Sequence, residues 1–471
     1  MKVLFIFPPK NNWALRNIKL HKKIDEESGF YPPLGILYVA SYLKKELPSC
    51  EVKIIDAPSE KLDYIDIKTQ ISNFAPDVVG IYFCTEYLYD ALQTAKVVKQ
   101  LNSKIFTVAG GPHVFIYPFE TIKEPEIDFV IYGEAEIVFT KLIECLKIGK
   151  FPDDIIGVIT KNNIDKDHKI QYVEKLDGLT FPNRTLLNYK KYKSFITYKN
   201  PITTMMTSRG CAYNCYYCNS IERAKKVRFH SPEYVVKEIE SIVKLGIKDI
   251  IFFDENFTFD IDRVEAICDL LIEKKLNIRW HCRSRADMKL DKRILRKMKE
   301  AGCRMIQFGI ETATPHLQKL INKHLDLEQV KKVIKLCKDV GILTYGNFML
   351  GLPTETPKEM LNTINFAIKL NLDYAPFGVF NPLPKSVFYE KAIKEGIINK
   401  DYWLEYVKNP DKPISNYWWP LHNKEMLNRM NYLAFRKFYF RVNYILKAIF
   451  RRQSLTQKFW QAKSVVRLFL S

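Results

Sequence analysis

The chain has 471 residues, enough for two or three domains, and its 47% hydrophobic and 27% charged content excludes a disordered or fibrous protein. Its formal charge is +20, and half of that excess sits in Leu421–Ser471, where eleven Lys/Arg face a single acid, Glu425. Cys50, Cys84, Cys145, Cys268, Cys282, Cys303 and Cys337 are scattered singly in apolar settings. That is the usage of reduced buried thiols and excludes a disulfide framework.

Met1-Lys2 is followed by only "VLFIF" before Pro8-Pro9, which is too short for a secretory apolar region. The uncharged run Val340–Thr354 is too short and too interrupted by Gly and Pro to span a bilayer. The expectation is a cytoplasmic protein, soluble or peripheral to the inner face of the membrane.

The first 148 residues alternate apolar runs with helical patterns. "KVLFIF" (2–7), "VKIID" (52–56), "DVVGIYF" (77–83), "KIFTVAGG" (104–111) and "IDFVIYGE" (127–134) predict five strands. They are nearly unbroken in apolar character, as strands covered on both faces must be. Helix patterns at 34–47, 87–101 and 134–147 lie between them. The alternation predicts an α/β, Rossmann-like, doubly wound parallel sheet with its ligand site at the carboxyl ends of the strands. Those ends carry Thr85 in "CTEY", Gly110, Gly111 and His113 in "AGGPH", and Gly133 and Glu134 in "YGEAE". Paired glycines let backbone approach a ligand, but they also serve ordinary turns. The absence of G-x-G-x-x-G argues against a dinucleotide.

Residues 149–200 read as a hairpin ("IIGVIT", "IQYVEK") and connector. From 201 to 400 six further strands are predicted: "TTMMTS" (203–208), "DIIFFD" (249–254), "IRWHCR" (278–283), "MIQFGIE" (305–311), "LTYGNFML" (343–350) and "YAPFGVF" (374–380). A helix pattern follows each, giving a partial (β/α)6 barrel with chemistry at the strands' carboxyl ends. The remainder, 401–471, is aromatic and basic, with Phe438, Tyr439, Phe440, Tyr444, Ile445, Ile449, Phe450, Phe459 and Trp460 at roughly helical spacing.

After the first barrel strand stands "TSRGCAYNCYYCNS", in which Cys211, Cys215 and Cys218 are spaced C-x3-C-x2-C. Structural zinc takes four protein ligands, and His230 is a weak fourth. A [4Fe–4S] cluster fits three thiolates better, because its fourth iron is left to a non-protein ligand.

The triplet, with Tyr217 before its last cysteine, resembles that of the radical S-adenosylmethionine (SAM) superfamily. The resemblance implies that the open iron binds SAM, that the reduced cluster cleaves it to a 5′-deoxyadenosyl radical, and that an external donor such as flavodoxin or ferredoxin supplies the electron. It also implies SAM-binding roles for Tyr217, Asp254, Glu255, Arg283, Arg285, Glu311, Gly351 and Pro353, each near the end of a barrel strand or in the cysteine loop. The N-terminal segments "YPPLG", "PDVVGIY", "GGPH" and "DFVIYGEAE" resemble the cobalamin-binding domain fused to many such enzymes. This implies cobalamin contacts at Thr85, Gly110, Gly111, His113, Gly133 and Glu134. The D-x-H-x-x-G motif that supplies a lower cobalt ligand is absent, so the implied cobalamin has no protein histidine beneath it.

Together these features resemble cobalamin-dependent radical SAM methyltransferases, which methylate unactivated carbon or phosphorus in a small-molecule or lipid-like substrate. Relatives with the same cofactors catalyse oxidative cyclisation or rearrangement instead. Methylthiotransferases would need a second three-cysteine cluster, for which Cys50, Cys84 and Cys145 are the only N-terminal candidates. The basic tail offers three readings: a cap on the barrel, an anchor on an anionic membrane, or, without any enzyme, a peripheral interaction module. No RNA-binding motif accompanies it, which argues against nucleic acid.

Overall fold

The computed structural model describes residues 1–15, 29–219, 226–414 and 422–450, without the side chains of 448–450. The expectations for "NYWWP" at 416–420, for Ile449, Phe450, Phe459 and Trp460, and for the rest of 451–471 therefore lie outside the described residues. Among the described residues no helix is long and apolar enough to cross a membrane.

The chain forms two compact units, Met1–Ser194 with Asp401–Ser415, and Phe195–Lys400 with Asn416–Ser471. In the first unit all five expected strands are present: β1 (Lys2–Phe7), β2 (Glu51–Asp56), β3 (Val78–Tyr82), β4 (Phe106–Gly110) and β5 (Phe129–Ile131). They pair in parallel, in the order β2-β1-β3-β4-β5. The order reverses between β1 and β3, which opens a crevice at their carboxyl ends. Helices Leu34–Glu46, Leu88–Leu101 and Ala135–Lys147 follow the sequence patterns closely.

The expected hairpin over 155–175 is not formed. β6 (Val158–Ile159) instead pairs antiparallel with β5 and covers what would be a bare edge, while Gln171 bridges to Gly133. The following stretch is also tied down, through Tyr192 Oη donating to buried Asp56 at 2.7 Å and Ser41 Oγ accepting from the Asn183 N–H at 2.6 Å. It belongs to the first unit and is not a free connector.

The second unit holds β7 (Ile202–Met205), β8 (Asp249–Phe252), β9 (Arg279–Arg285), β10 (Cys303–Glu311), β11 (Leu343–Leu350) and β12 (Phe377–Val379). These pair in parallel in strictly sequential order, the half-barrel expected from the sequence. The five longer intervening helices start on side-chain caps, whereas the short helix Pro315–Leu320 has none. Ser231, Asp260, Asp291 and Asp326 accept first-turn N–H groups, and Thr356 with Glu359 completes a capping box.

The C-terminal region divides. Residues 401–414 join the first unit, where Trp403 and Tyr406 are buried and the Ile414 N–H donates to the Ala14 carbonyl at 2.7 Å. The helix Lys424–Tyr439 packs on β12 and on the helix Pro357–Lys369. It buries Leu427, Met430, Ala434 and Phe438, and Asn431 Nδ2 donates to the Phe377 carbonyl at 2.6 Å. The helix Lys424–Tyr439 thus covers the side of the barrel sheet at its last strand.

Candidate active site

The cysteine loop begins after β7, past a two-residue strand, Ser208–Arg209. Its entry is fixed by Asp254, which is fully buried and accepts from the Thr207 N–H at 2.7 Å, Thr207 Oγ1 at 2.5 Å and Ser208 Oγ at 2.6 Å. Burial raises the Asp254 carboxyl and these hydrogen bonds oppose the shift. Asp254 thus anchors the loop, with both of its oxygens accepting from Thr207 and Ser208. Glu255 beside it is exposed and lies close enough to Cys211 to raise that thiol.

Further on, the Tyr216 N–H donates to the Ile321 carbonyl and its own carbonyl accepts from the Phe388 N–H, both at 3.1 Å. Tyr216 and Tyr217 pack on a cluster of Leu317, Ile321, Leu352, Phe380 and Phe388. The two residues between Cys215 and Cys218 therefore clamp the loop to the barrel.

Burial pushes both the Cys211 and Cys215 thiols up, and the neighbouring thiols of the triplet push in the same direction. Lys323 and Arg285 oppose this at Cys215. Thiols raised in this way give up their protons most readily to a cationic centre that binds them. Among the described residues no group of three or more His, Cys, Asp or Glu side chains is gathered to hold a single metal ion. His230, the candidate fourth zinc ligand, is stacked on Tyr234 with ring centroids 4.0 Å apart. The donor set of three thiols on one loop fits an iron–sulfur cluster with an open iron.

Next to the triplet lies a polar network that the sequence did not reveal. Glu311, at the end of β10, accepts at Oε1 from Tyr217 Oη at 3.2 Å and from Lys323 Nζ at 2.7 Å. Glu311 and Lys323 are both nearly buried. Glu311 takes a left-handed φ of +69°, uncommon for a residue with a side chain. Space for the pair exists because residue 309 is glycine, where a Cβ would sit 2.7 Å from both Glu311 Oε1 and Lys323 Nζ. Burial, then Glu311, raises the Tyr217 phenol well above its usual value. Tyr217 thus reaches Glu311 as well as packing in the loop. Only one Glu311 oxygen is engaged, so Oε2 remains an acceptor for a ligand.

The two arginines differ. Arg285 is forked onto Asp287, donates to the Lys323 carbonyl at 2.7 Å and lies 3.9 Å over the Tyr213 ring. Its guanidinium thus braces the site's own architecture. Arg283, one pleat earlier, is half-buried and lies over the Phe253 ring at 5.0 Å. After β11, the N–H groups of Gly351 and Leu352 donate to Glu355 Oε2 at 2.7 and 3.0 Å. Burial raises Glu355 to about 7. Gly351 has φ +83° and lies against Leu427, and Pro353 is buried beside it. This fixes the turn that carries both residues.

In the first unit, His113 is buried and its Nδ1 lies 2.9 Å from Thr85 Oγ1. Its Nε2 has no hydrogen-bond partner, and burial lowers its pKa to about 3, so the ring is neutral. The glycines separate by role. Gly111 (φ +108°) and Gly133 (φ +133°) sit where a Cβ would strike the Phe83 and Gln171 carbonyl oxygens at 2.8 and 2.2 Å. Those two serve turn and bridge geometry. At Gly110 a Cβ would meet nothing, and the bare backbone faces open space. Glu134 accepts from the Val173 N–H at 2.7 Å, which ties it to the 171–173 segment. Cys50, Cys84 and Cys145 form no ion-holding group among the described residues. Cys268, Cys282 and Cys337, scattered in sequence, gather around Cys303 in the core of the second unit, where burial raises all three.

A family model described as the radical SAM superfamily matches residues 205–367, and one described as the B12 binding domain matches residues 24–143. An uncharacterized methyltransferase of Pyrococcus horikoshii is 33% identical over 464 residues, covering 97% of this chain and 96% of that protein. This chain belongs to the radical SAM superfamily. It is a radical SAM enzyme with a B12-binding domain. The anaerobic magnesium-protoporphyrin IX monomethyl ester cyclase of Rubrivivax gelatinosus is 30% identical over 402 residues, covering 83% of this chain and 70% of that one. Among solved structures, the radical SAM methyltransferase TsrM of Kitasatospora setae, with cobalamin and a [4Fe–4S] cluster bound, shares the fold. Its TM-score is 0.70 at 17% identity, over 84% of this chain and 78% of that chain.

Proposed function

We propose that this radical SAM enzyme uses a [4Fe–4S] cluster on Cys211, Cys215 and Cys218, with SAM and cobalamin, to methylate an unactivated carbon or phosphorus of a small-molecule or lipid-like substrate. The observation that carries the reading is the thiol triplet, on a loop clamped at the carboxyl end of a half-barrel, in a chain that also has a B12-binding domain. When bound, the cluster supplies reductive cleavage of SAM to a radical, and cobalamin supplies a methyl carrier. The chain's own residues supply position and charge. The three thiols hold the cluster, with Lys323 and Arg285 offsetting their negative charge. Glu311 offers Oε2 to the SAM ammonium or ribose while Tyr217 and Lys323 fix its other oxygen. Arg283 is the cation left for the SAM carboxylate. In the first unit, Gly110 gives the corrin close approach to backbone, and buried His113, bonded to Thr85, stands on the loop that follows it. Flavodoxin or ferredoxin would supply the electron.

A second reading has support in the cyclase from Rubrivivax gelatinosus. In it the same radical chemistry closes a ring without methylation. One anaerobic experiment separates them. The reconstituted protein is given cobalamin, a low-potential reductant and SAM carrying a deuterated methyl group, then incubated with cell extract. Deoxyadenosine with label in a new product supports methyl transfer. Deoxyadenosine and retained corrinoid with a product that carries no label support cyclisation. Deoxyadenosine without retained corrinoid removes cobalamin from the mechanism.

A further inference from the structure

We infer that the corner between the helices Lys424–Tyr439 and Val442–Phe450 docks on an anionic lipid bilayer. Twelve large hydrophobic residues are exposed among the described residues, and five of them, Tyr432, Phe440, Val442, Ile445 and Leu446, fall within this one short stretch. Val442 is 72% exposed and Phe440 50%. Scattered exposed apolar residues need no explanation, but a concentration in one place marks an interaction surface.

The corner is a fixed feature. Phe438 is fully buried and Tyr439 Oη accepts from the Ala375 N–H at 3.0 Å. Tyr444 Oη donates to the Asp373 carbonyl at 2.9 Å, and Arg441 donates to the carbonyls of Phe438 and Ile368. Its inward aromatic groups are committed to the core, while Val442, Ile445 and Leu446 are left exposed.

Charge selects the occupant. Arg436 and Lys437 are exposed beside Phe440, and Lys447 follows Leu446 while pairing with Asp373 at 3.3 Å. From Met426 to Ser471 the sequence has ten Lys/Arg and no Asp or Glu. Covering the corner with residues 451–471 of the same chain would bring five further cations, and no anion, against those already there. Nucleic acid would satisfy the cations but has no use for outward Val442, Ile445 and Leu446. An anionic bilayer satisfies both, with apolar groups entering the acyl boundary and cations at the headgroups. The inference does not rest on the methyl-transfer reading.

The test is co-sedimentation of the full-length protein with vesicles of phosphatidylcholine alone or mixed with phosphatidylglycerol, at low and high salt. The expected result is binding to the mixed vesicles at low salt that weakens at high salt. Val442→Asp with Ile445→Asp, and separately Arg436→Glu with Lys437→Glu, should each lower it about tenfold. Thermal unfolding should be unchanged, since all four side chains point outward. No binding to mixed vesicles at low salt overturns the proposal, and so does binding that both double variants leave intact. A duplex oligonucleotide that displaces the vesicles, or a self-association on size exclusion that Ile445→Asp abolishes, assigns the surface to another occupant and equally overturns it.

Discussion

The two parallel sheets of this chain present their carboxyl ends in opposite ways. The first offers backbone and neutral groups: Gly110, whose missing Cβ leaves open space, and His113, held uncharged by burial. The second offers side-chain chemistry: three thiols, the Glu311–Lys323 ion pair and two arginines. The contrast suits a division of labour. A large, rigid cofactor is held by shape and close backbone approach, whereas a charged, reactive one needs placed donors and acceptors.

The comparison is broken most completely at the thiols. Cys211→Ala, Cys215→Ala and Cys218→Ala should each abolish deoxyadenosine formation and the cluster's visible absorbance while leaving corrinoid retention intact. A variant that still makes deoxyadenosine refutes the ligand assignment. Next in size is the buried ion pair. Lys323→Met strands Glu311, with only a phenol for company, at a cost of about 3–5 kcal/mol read by chemical unfolding. It should also weaken SAM binding measured by the cluster's EPR change. Gly309→Ala attacks the same pair by crowding and should cost about 1–3 kcal/mol.

Gly110 sharpens the contrast. Gly110→Ala places a methyl group in open space, so unfolding should not change, while corrinoid retention after gel filtration should fall. Unchanged retention would mean that Gly110 is ordinary turn chemistry. Gly111→Ala, by contrast, should destabilise the first unit whether or not corrinoid is present, because its Cβ meets the Phe83 carbonyl.

The smallest effects are pH slopes of opposite sign. Burial raises Glu355 from 4.5 to about 7, so between those values the folded state holds a proton that the unfolded chain has lost. Stability should therefore fall as pH rises through that window, and Glu355→Gln should flatten the slope. Burial lowers His113 from 6.5 to about 3, so the unfolded chain gains its proton first and stability should fall as pH drops below 6.5. His113→Gln should reduce that second slope, the remainder coming from buried His281, which is lowered to about 4.

The strands and helices of both units were legible because strands buried on both faces leave unbroken apolar runs, and helices such as Pro357–Lys369 announce themselves with caps. The thiol triplet was legible because its spacing is local. What escaped depends on distant pairing. Lys323 looks like any surface lysine in "INKHL" until the helix Pro315–Leu320 brings the chain back and sets it on Glu311. The anchoring role of Asp254 was hidden for the same reason, because its partners Thr207 and Ser208 lie 47 and 46 residues away. The edge role of Val158–Ile159 was hidden because a two-residue strand carries almost no periodicity.

The segment 401–414 has a practical bearing on how this protein can be taken apart. It buries Trp403 in the first unit although more than two hundred residues of the second unit precede it in the chain. The first unit is therefore not a cassette that ends near Ser194. Expressed as 1–194 it would expose the surface that Trp403 and Tyr406 normally cover, and a chain cut after Lys400 would damage the unit farthest from the cut in sequence. Any attempt to lend its B12-binding domain to another barrel must carry the returning segment along.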